Sequence, residues 1–475
     1  MGDPALGGWH SPCSPSGMIT TPRLALALTL AALLSPLARA GEVAYRVSGQ
    51  DPAFGPCTGL VLVDDAAGAL TVRHELHYAS GEDELGAGPG VRSGSTITTT
   101  LASTGGLAPT PPRSLTLQLG AGGTIAVSEA GGAGLQLGGR RLDLARQADL
   151  LPGDPNGRGA RLLASVAAAR GGTIGGKGGV PLRWVAFEAT PELAALVVLP
   201  GRTEPAERYA ELAADLVPLG YSLFVLDERG QGRSGRLLGR SDPPGSPERQ
   251  KGYVERFEDY VEDLHTFLHQ VVRATPHRHV FGLGHSMGGA ILARHAELHP
   301  GELEALVLCA PMLRIPVSYW EARYVDLQVL IGRGKSYARG EGPVDPTKAR
   351  FAGNHTTHSE PRFRWKNEDI LVPSPELWVG GPTYRWVHEA LRGTSAVRKD
   401  ARRLRAPTLL LQASADTVVV NSGQDEVAAA ARGVVEKVVI AGARHELLLE
   451  ADALRRAALL RIVAFVDRHA GVGRP

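Results

Sequence analysis

The residues best placed to do chemistry are Gly284-His285-Ser286-Met287-Gly288, a G-x-S-x-G pattern. Glycines on either side permit a turn too tight for side chains, which exposes the serine hydroxyl and aims the next helix's N-terminus at it. In a chain with 59 glycines the pattern alone says little. Its setting says more: a β-like apolar run at 279–283 precedes it and a helical stretch at 288–297 follows. A serine hydroxyl is a poor nucleophile and needs a base, which in turn needs an orienting acid. In such a strand–turn–helix setting the acid and then the histidine follow the serine along the chain. The run at 408–412 leads into Ala413-Ser414-Ala415-Asp416, so Asp416 is the expected acid, with Asp425 and Asp400 as rivals in helix-surface or linker positions. The run at 436–440 leads into Gly442-Ala443-Arg444-His445, so His445 is the expected base; of 15 histidines only this one lies in that loop. An oxyanion needs two preorganised donors. Those expected are the backbone N–H of Met287 and that of Arg202, in the loop Pro200-Gly201-Arg202 after the run at 194–199.

Positioning these residues requires strands alternating with helices. Strand-like runs at 182–187, 194–199, 222–226, 279–283, 303–309, 408–412 and 436–440 are separated by helical stretches at 204–216, 257–272, 288–297, 423–431 and 453–469. That order predicts an α/β fold with a mainly parallel sheet covered on both faces. The alternation breaks over 312–405, an insert placed where a lid would cover the active edge of the sheet. Asp227 and the turn that follows it, reading DERGQGRSG, are expected to be structural, and His285 is expected to pack beside the nucleophile.

The N-terminal third differs. Short β-like runs at 59–63, 70–78, 95–101, 114–119 and 124–127 lie between Gly, Pro and Ser clusters, which predicts a small antiparallel β domain over 41–175, such as a sandwich, preceding a domain over 176–472. His74, Glu75 and His77 form no closed ligand set and read as a solvated strand face. Arg23, the apolar run at 24–34 and Ala38-Arg39-Ala40 have the form of a signal peptide ending at residue 40, with translation starting at Met18, and predict export to the periplasm or beyond. With 51 Lys+Arg against 49 Asp+Glu, nothing favours nucleic-acid binding. Cys13, Cys57 and Cys309 are too few for a disulfide framework and are expected as free thiols. No metal cluster, phosphate-cradling loop or dinucleotide fingerprint is evident, and no cofactor is expected.

From residue 176 to 469 the chain resembles bacterial lysophospholipases of the monoacylglycerol-lipase-like branch of the α/β-hydrolases. The resemblance rests on Gly201-Arg202-Thr203-Glu204 with Tyr209-Ala210-Glu211-Leu212, on DERGQGRSG at 227–235, on Arg256-Phe257 with Asp259-Tyr260-Val261, and on GHSMGG at 284–289. Ala310-Pro311-Met312, Gly380-Gly381-Pro382-Thr383-Tyr384 and His445-Glu446 extend it. Proline at 200 replaces the histidine common in the wider branch, and the β region before residue 176 is foreign to the family. The resemblance implies an α/β-hydrolase fold and a serine esterase that releases a fatty acid from lysophospholipid or monoacylglycerol through an acyl-enzyme. Acyl transfer or general carboxylesterase activity is the alternative, with weaker cases for a peptidase and for a non-catalytic surface binding protein. The insert carries 17 Lys/Arg against 10 Asp/Glu, and Arg362, Phe363, Arg364, Trp365 and Lys366 interleave cations with aromatics. Arg362, Arg364, Lys366 and Tyr384 are therefore candidate substrate contacts for a phosphate head group, or for peripheral contact with an anionic membrane surface.

Overall fold

The computed structural model describes residues 42–65, 69–79, 82–106, 112–129 and 134–472. The expected signal segment, Met18 and Cys13 lie outside the described residues.

The N-terminal strands close into a barrel. They are β1 (Val43–Asp51), β2 (Gly55–Asp64), β3 (Thr71–Tyr78), β4 (Asp83–Ser93), β5 (Thr96–Gly106), β6 (Arg113–Leu119), β7 (Thr124–Glu129) and β8 (Gln136–Arg141). Each pairs antiparallel with the next, and β8 pairs back onto β1. A closed barrel, rather than a sandwich, removes every free edge. Alternation turns Val47, Val61, Leu76, Ile97, Leu117 and Val127 inward as one apolar cluster. Glycine lets neighbouring strands approach: a Cβ on Gly59 would lie 1.9 Å from the Glu75 carbonyl oxygen. The interior also holds a buried charge network, in which Arg113 pairs with Asp51 at 2.7 Å and Glu84 at 3.0 Å.

The histidine strand is not a solvated face. His74 points into the barrel, 3.1 Å from Glu84. Glu75 and His77 point outward against a C-terminal helix, α9 (Asp452–His469). There Arg461 pairs with Glu75 at 2.6 Å, and His77 is 2.7 Å from Asp83. Burial alone would lower the His77 pKa, but its bonds to Asp83 and Glu75 win and push it up to about 9. Arg46 on β1 pairs with Asp467 of α9 at 2.6 Å, and Ala44 and Leu60 join the apolar cluster of that helix.

The second sheet contains β9 (Arg170–Gly175), β10 (Pro181–Phe187), β11 (Ala194–Leu199), β12 (Tyr221–Leu226), β13 (Val280–His285), β14 (Leu306–Cys309), β15 (Thr408–Ala413) and β16 (Val435–Ile440), in the order β16-β15-β14-β13-β11-β12-β10-β9. Strand β10 runs antiparallel to both of its neighbours, β9 and β12, and the other pairings are parallel. The domain boundary expected at residue 175 is therefore displaced. Strand β9 is the edge of this sheet, and α1 (Arg158–Ala168) packs through Leu162 and Val166 into its core.

Helices cover both faces: α1, α2 (Ala210–Leu216) and α9 on one, and α3 (Glu258–Gln270), α4 (Met287–Leu298), α7 (Tyr384–Asp400) and α8 (Asn421–Ala430) on the other. Between β14 and β15 the insert contributes α5 (Tyr319–Leu330), the short α6 (Glu360–Arg364) and α7. No described helix is long and apolar enough to cross a membrane. Cys57 and Cys309 are unpaired, and burial pushes both thiols up to about 12.

Candidate active site

Ser286 sits between β13 and α4 with φ 50° and ψ −114°, a conformation that L-residues rarely adopt. The flanking glycines have a steric reason. A Cβ on Gly284 would lie 2.7 Å from the backbone of Gly288, and one on Gly288 would lie 2.1 Å from the Leu199 carbonyl oxygen. The turn is held on both sides, since Ser286 N donates to Cys309 O at 3.0 Å and Met312 N donates to Ser286 O at 2.8 Å. Met287 opens α4, so its N–H is one of the helix's unpaired N-terminal donors.

His445 Nδ1 lies 2.7 Å from Asp416 Oδ2. The other Asp416 oxygen accepts the N–H groups of Val418 at 2.8 Å and Val419 at 3.1 Å. Burial would raise the Asp416 pKa, but the bond from His445 and these two amides bring it below the ordinary range. Burial lowers His445, and the opposing bond to Asp416 does not restore it, so the imidazole is neutral at pH 7 and able to accept a proton. Its ring centroid is 4.9 Å from that of His285, the residue before the nucleophile. The rivals are engaged elsewhere. Asp425 pairs with Lys437 at 2.6 Å and Asp400 with Arg294 at 2.8 Å.

The loop after β11 is gripped by side chains. Gly201 N donates to Glu204 Oε2 at 2.8 Å, and Thr203 N, in a residue with φ 70°, donates to Gln231 Oε1 at 3.1 Å. Gln231 Nε2 donates to Gly201 O at 2.9 Å. Between the two committed amides, the Arg202 N–H has no acceptor among the described residues and is free to meet an oxyanion. The Arg202 side chain turns away, its guanidinium 5.2 Å from the Trp386 ring centroid and bonded to the Gly380 carbonyl. Asp227 is structural as expected, accepting from Ala206 N and Arg233 N, each at 2.8 Å.

A family profile described as serine aminopeptidase, S33, matches residues 190–452, over half of the chain and every residue of this site. The chain belongs to that family. Within the S33 hydrolases it is 41% identical to lysophospholipase L2 of Escherichia coli over 300 residues, 61% of this chain and 85% of that protein. It is 30% identical to human monoglyceride lipase over 236 residues, covering 49% of this chain and 68% of that enzyme. Among solved structures, a thermostable carboxyl esterase from Bacillus coagulans superposes with TM-score 0.51 at 17% identity, covering 63% of this chain and 98% of the esterase, and shares the fold. The protein is a serine hydrolase with an α/β-hydrolase fold.

Of the four candidate substrate contacts, Lys366 lies in a cleft that shares the loop after β11, and the other three are engaged elsewhere. Arg362 is fully buried, bonded to Glu211 at 2.9 Å and to the carbonyls of Glu450 at 2.7 Å and Ala145 at 3.1 Å, so it is a structural tie. Arg364 is exposed and pairs with Glu368 one turn along at 2.8 Å. Tyr384 is buried against Tyr324 of α5, with centroids 5.9 Å apart. Lys366 lines a cleft of about 500 Å³ together with Arg202, Thr203, Leu377 and Trp378. Burial, reinforced by Arg208, lowers its ammonium pKa to about 7.

Reading the sequence missed the network behind the site. Glu204 Oε1 lies 2.8 Å from His285 Nδ1, and Glu204 Oε2 accepts from Tyr209 OH at 2.7 Å. Arg208 pairs with Glu204 at 3.1 Å and also with Glu446. His285 Nε2 lies 3.1 Å from the His445 carbonyl, so it links the two loops rather than merely packing. The signal available was the run of chemistry-bearing residues at 201–209, whose contacts only the fold defines.

Proposed function

We propose that this serine hydrolase cleaves the ester of a single-chain glycerolipid, a lysophospholipid in preference to a neutral monoacylglycerol. The observation that carries the reading is geometric: His445 is held by Asp416 at 2.7 Å, and its ring lies 4.9 Å from that of His285 in the strained Ser286 turn. The 41% identity to a lysophospholipase supports the substrate class, and Lys366 beside the oxyanion loop supports an anionic head group. In this mechanism Ser286 Oγ attacks the acyl carbonyl while His445 Nε2 takes its proton. The N–H groups of Met287 and Arg202 receive the oxyanion, each worth about 2.7–4 kcal/mol in comparable sites. His445 then protonates the leaving glyceryl oxygen, and water repeats the cycle to free the fatty acid. The helical insert at 312–405 acts as the lid, tethered to the oxyanion loop through Arg202, Gly380 and Trp386. Export and peripheral contact with lipid belong to the same reading, resting on the leader-like N-terminus and the basic insert.

The test is fatty-acid release by the purified chain from a lysophospholipid and from a monoacylglycerol of equal acyl length. Release from both is expected, with lower KM for the lysophospholipid, and Lys366→Met is expected to raise KM for that substrate alone. Release from neither lipid would defeat the reading. An equal response of both substrates to Lys366→Met would remove the head-group contact.

A further inference from the structure

At the end of α4 remote from Ser286, two helices pool their histidines. Helix α3 carries His265 and His269, and α4 carries His295, with His299 just past its end. Each pair is spaced i, i+4, which puts both rings on one helix face. The fold turns those faces together, and Glu302 closes the group. The His265 ring lies 4.5 Å from both the His269 and the His299 rings, centroid to centroid, and His295 lies 4.8 Å from His299. Glu302 is 3.2 Å from a nitrogen of each of His265, His269 and His295. One donor atom from each of His265, His295 and His299 lies within 4.8 Å of the others, and the same holds for His265, His269 and Glu302.

The polar balance of the cluster is incomplete. His295 is 0% exposed; its Nε2 faces Glu302 at 3.2 Å without a well-aligned hydrogen bond, and its Nδ1 has no hydrogen-bond partner. Burying an imidazole so poorly satisfied is costly, and a lone pair aimed at a cation removes part of that cost. Arg273 faces the same loop but is committed to the Glu302 carbonyl at 2.5 Å, which leaves the Glu302 carboxylate to the histidines.

We propose that this cluster binds one divalent transition-metal ion of the zinc class. The donors are His265, His295, His299 and Glu302, and His269 holds Glu302 from the solvent side. Three imidazoles and a carboxylate suit Zn²⁺ and exclude the hard, oxygen-seeking Ca²⁺ and Mg²⁺. A hydrogen bond from an outer histidine to a ligating carboxylate is the usual second shell of such a site. The ion takes no part in ester cleavage, because a helix of 12 residues places it about 18 Å from Ser286. It fastens the end of the nucleophile's helix to α3. The trio Glu204, His285 and Glu446 is no rival, since Arg208 already supplies its cation.

The experiment uses the full chain, stripped with chelator and titrated with Zn²⁺ under equilibrium dialysis, with metal content, thermal midpoint and the visible spectrum of the Co²⁺ form as readouts. One equivalent of tightly held zinc, a raised midpoint and tetrahedral Co²⁺ bands are expected. His299→Gln and His265→Gln lie at half-exposed positions that tolerate substitution. Each should weaken zinc binding at least about tenfold and abolish the Co²⁺ bands, with metal-free esterase activity unchanged. Absence of zinc uptake by the wild type, or undiminished uptake by both variants, would overturn the proposal.

Discussion

Replacing Glu204 by glutamine probes how the oxyanion loop is held. The carboxylate is 3% exposed and serves Gly201 N–H, Tyr209 O–H, His285 and Arg208 together. Burial would raise its pKa, but Arg208 and His285 outweigh burial and hold the group ionised. Glutamine keeps the shape and one acceptor, so Gly201 can still be bound, but Arg208 is left with Glu446 alone. Removing one partner of a buried ion pair costs about 3–5 kcal/mol, and the second carboxylate on Arg208 places this case at the lower end, about 3 kcal/mol. Part of that appears as stability and part as disorder of the loop carrying the Arg202 N–H. Losing the full oxyanion contribution of one donor would slow turnover about 10²–10³-fold. Glu204→Gln should therefore lower kcat by about 10- to 100-fold with little change in KM, because the oxyanion exists only in the transition state. The anion also raises the His445 pKa, so its removal should move the acid limb of the rate profile to lower pH. Steady-state hydrolysis of a soluble nitrophenyl ester across pH 4–9 reads both effects. A folded variant with kcat within about twofold of wild type, or an acid limb displaced upward, would refute the role given to Glu204.

Other outcomes follow from single contacts. Asp416→Asn should reduce kcat about 10⁴-fold while leaving the fold intact, because the imidazole loses the acceptor that fixes its tautomer; stopped-assay turnover checks it. Arg362→Ala leaves buried Glu211 with Arg455 alone, at 3.6 Å, and should cost about 3 kcal/mol, the lower end for a broken buried pair, in denaturant unfolding, yet the folded fraction should retain wild-type KM for a lysophospholipid. His77 has its pKa raised on folding, against burial, from 6.5 to about 9 by Asp83 and Glu75 of the barrel, so its contribution to barrel stability is complete below pH 6.5 and lost as pH rises through about 9. Proteolysis at the barrel should accelerate over that window, and His77→Gln should flatten the dependence.

Much of the catalytic half was legible because its determinants are local. Gly284 and Gly288 are required where the turn crosses β11, and the order of serine, acid and histidine follows from parallel strands ending at one edge of the sheet. The apolar runs of β11, β13 and β15 announce buried strands. The barrel was half visible: β2, β3, β5, β6 and β7 carry alternating β-formers. By contrast β4, reading DELGAGPGVRS, and β8, reading QLGGRR, have sequences that become strands only because closure supplies their partners. The 176 boundary failed for a related reason, since β9, reading RGGTIG, has little intrinsic preference and is set by pairing with β10. Long-range pairing also decided the cations. Arg362 and Arg364 look equivalent in a basic segment, yet one meets Glu211 in the core and the other meets solvent. The two i, i+4 histidine pairs carry no ligand signal singly, which is why no metal cluster is evident in the sequence; only the packing of α3 on α4 unites them.

The claim on which the chemistry rests is that Ser286 carries the acyl group. Mass spectrometry of the full chain after reaction with a fluorophosphonate, paired with fatty-acid release from a lysophospholipid, tests it most directly. The expected result is one adduct on the peptide containing Ser286, with neither adduct nor turnover in Ser286→Ala. An adduct on another residue, or fatty-acid release by Ser286→Ala at the wild-type rate, would contradict it.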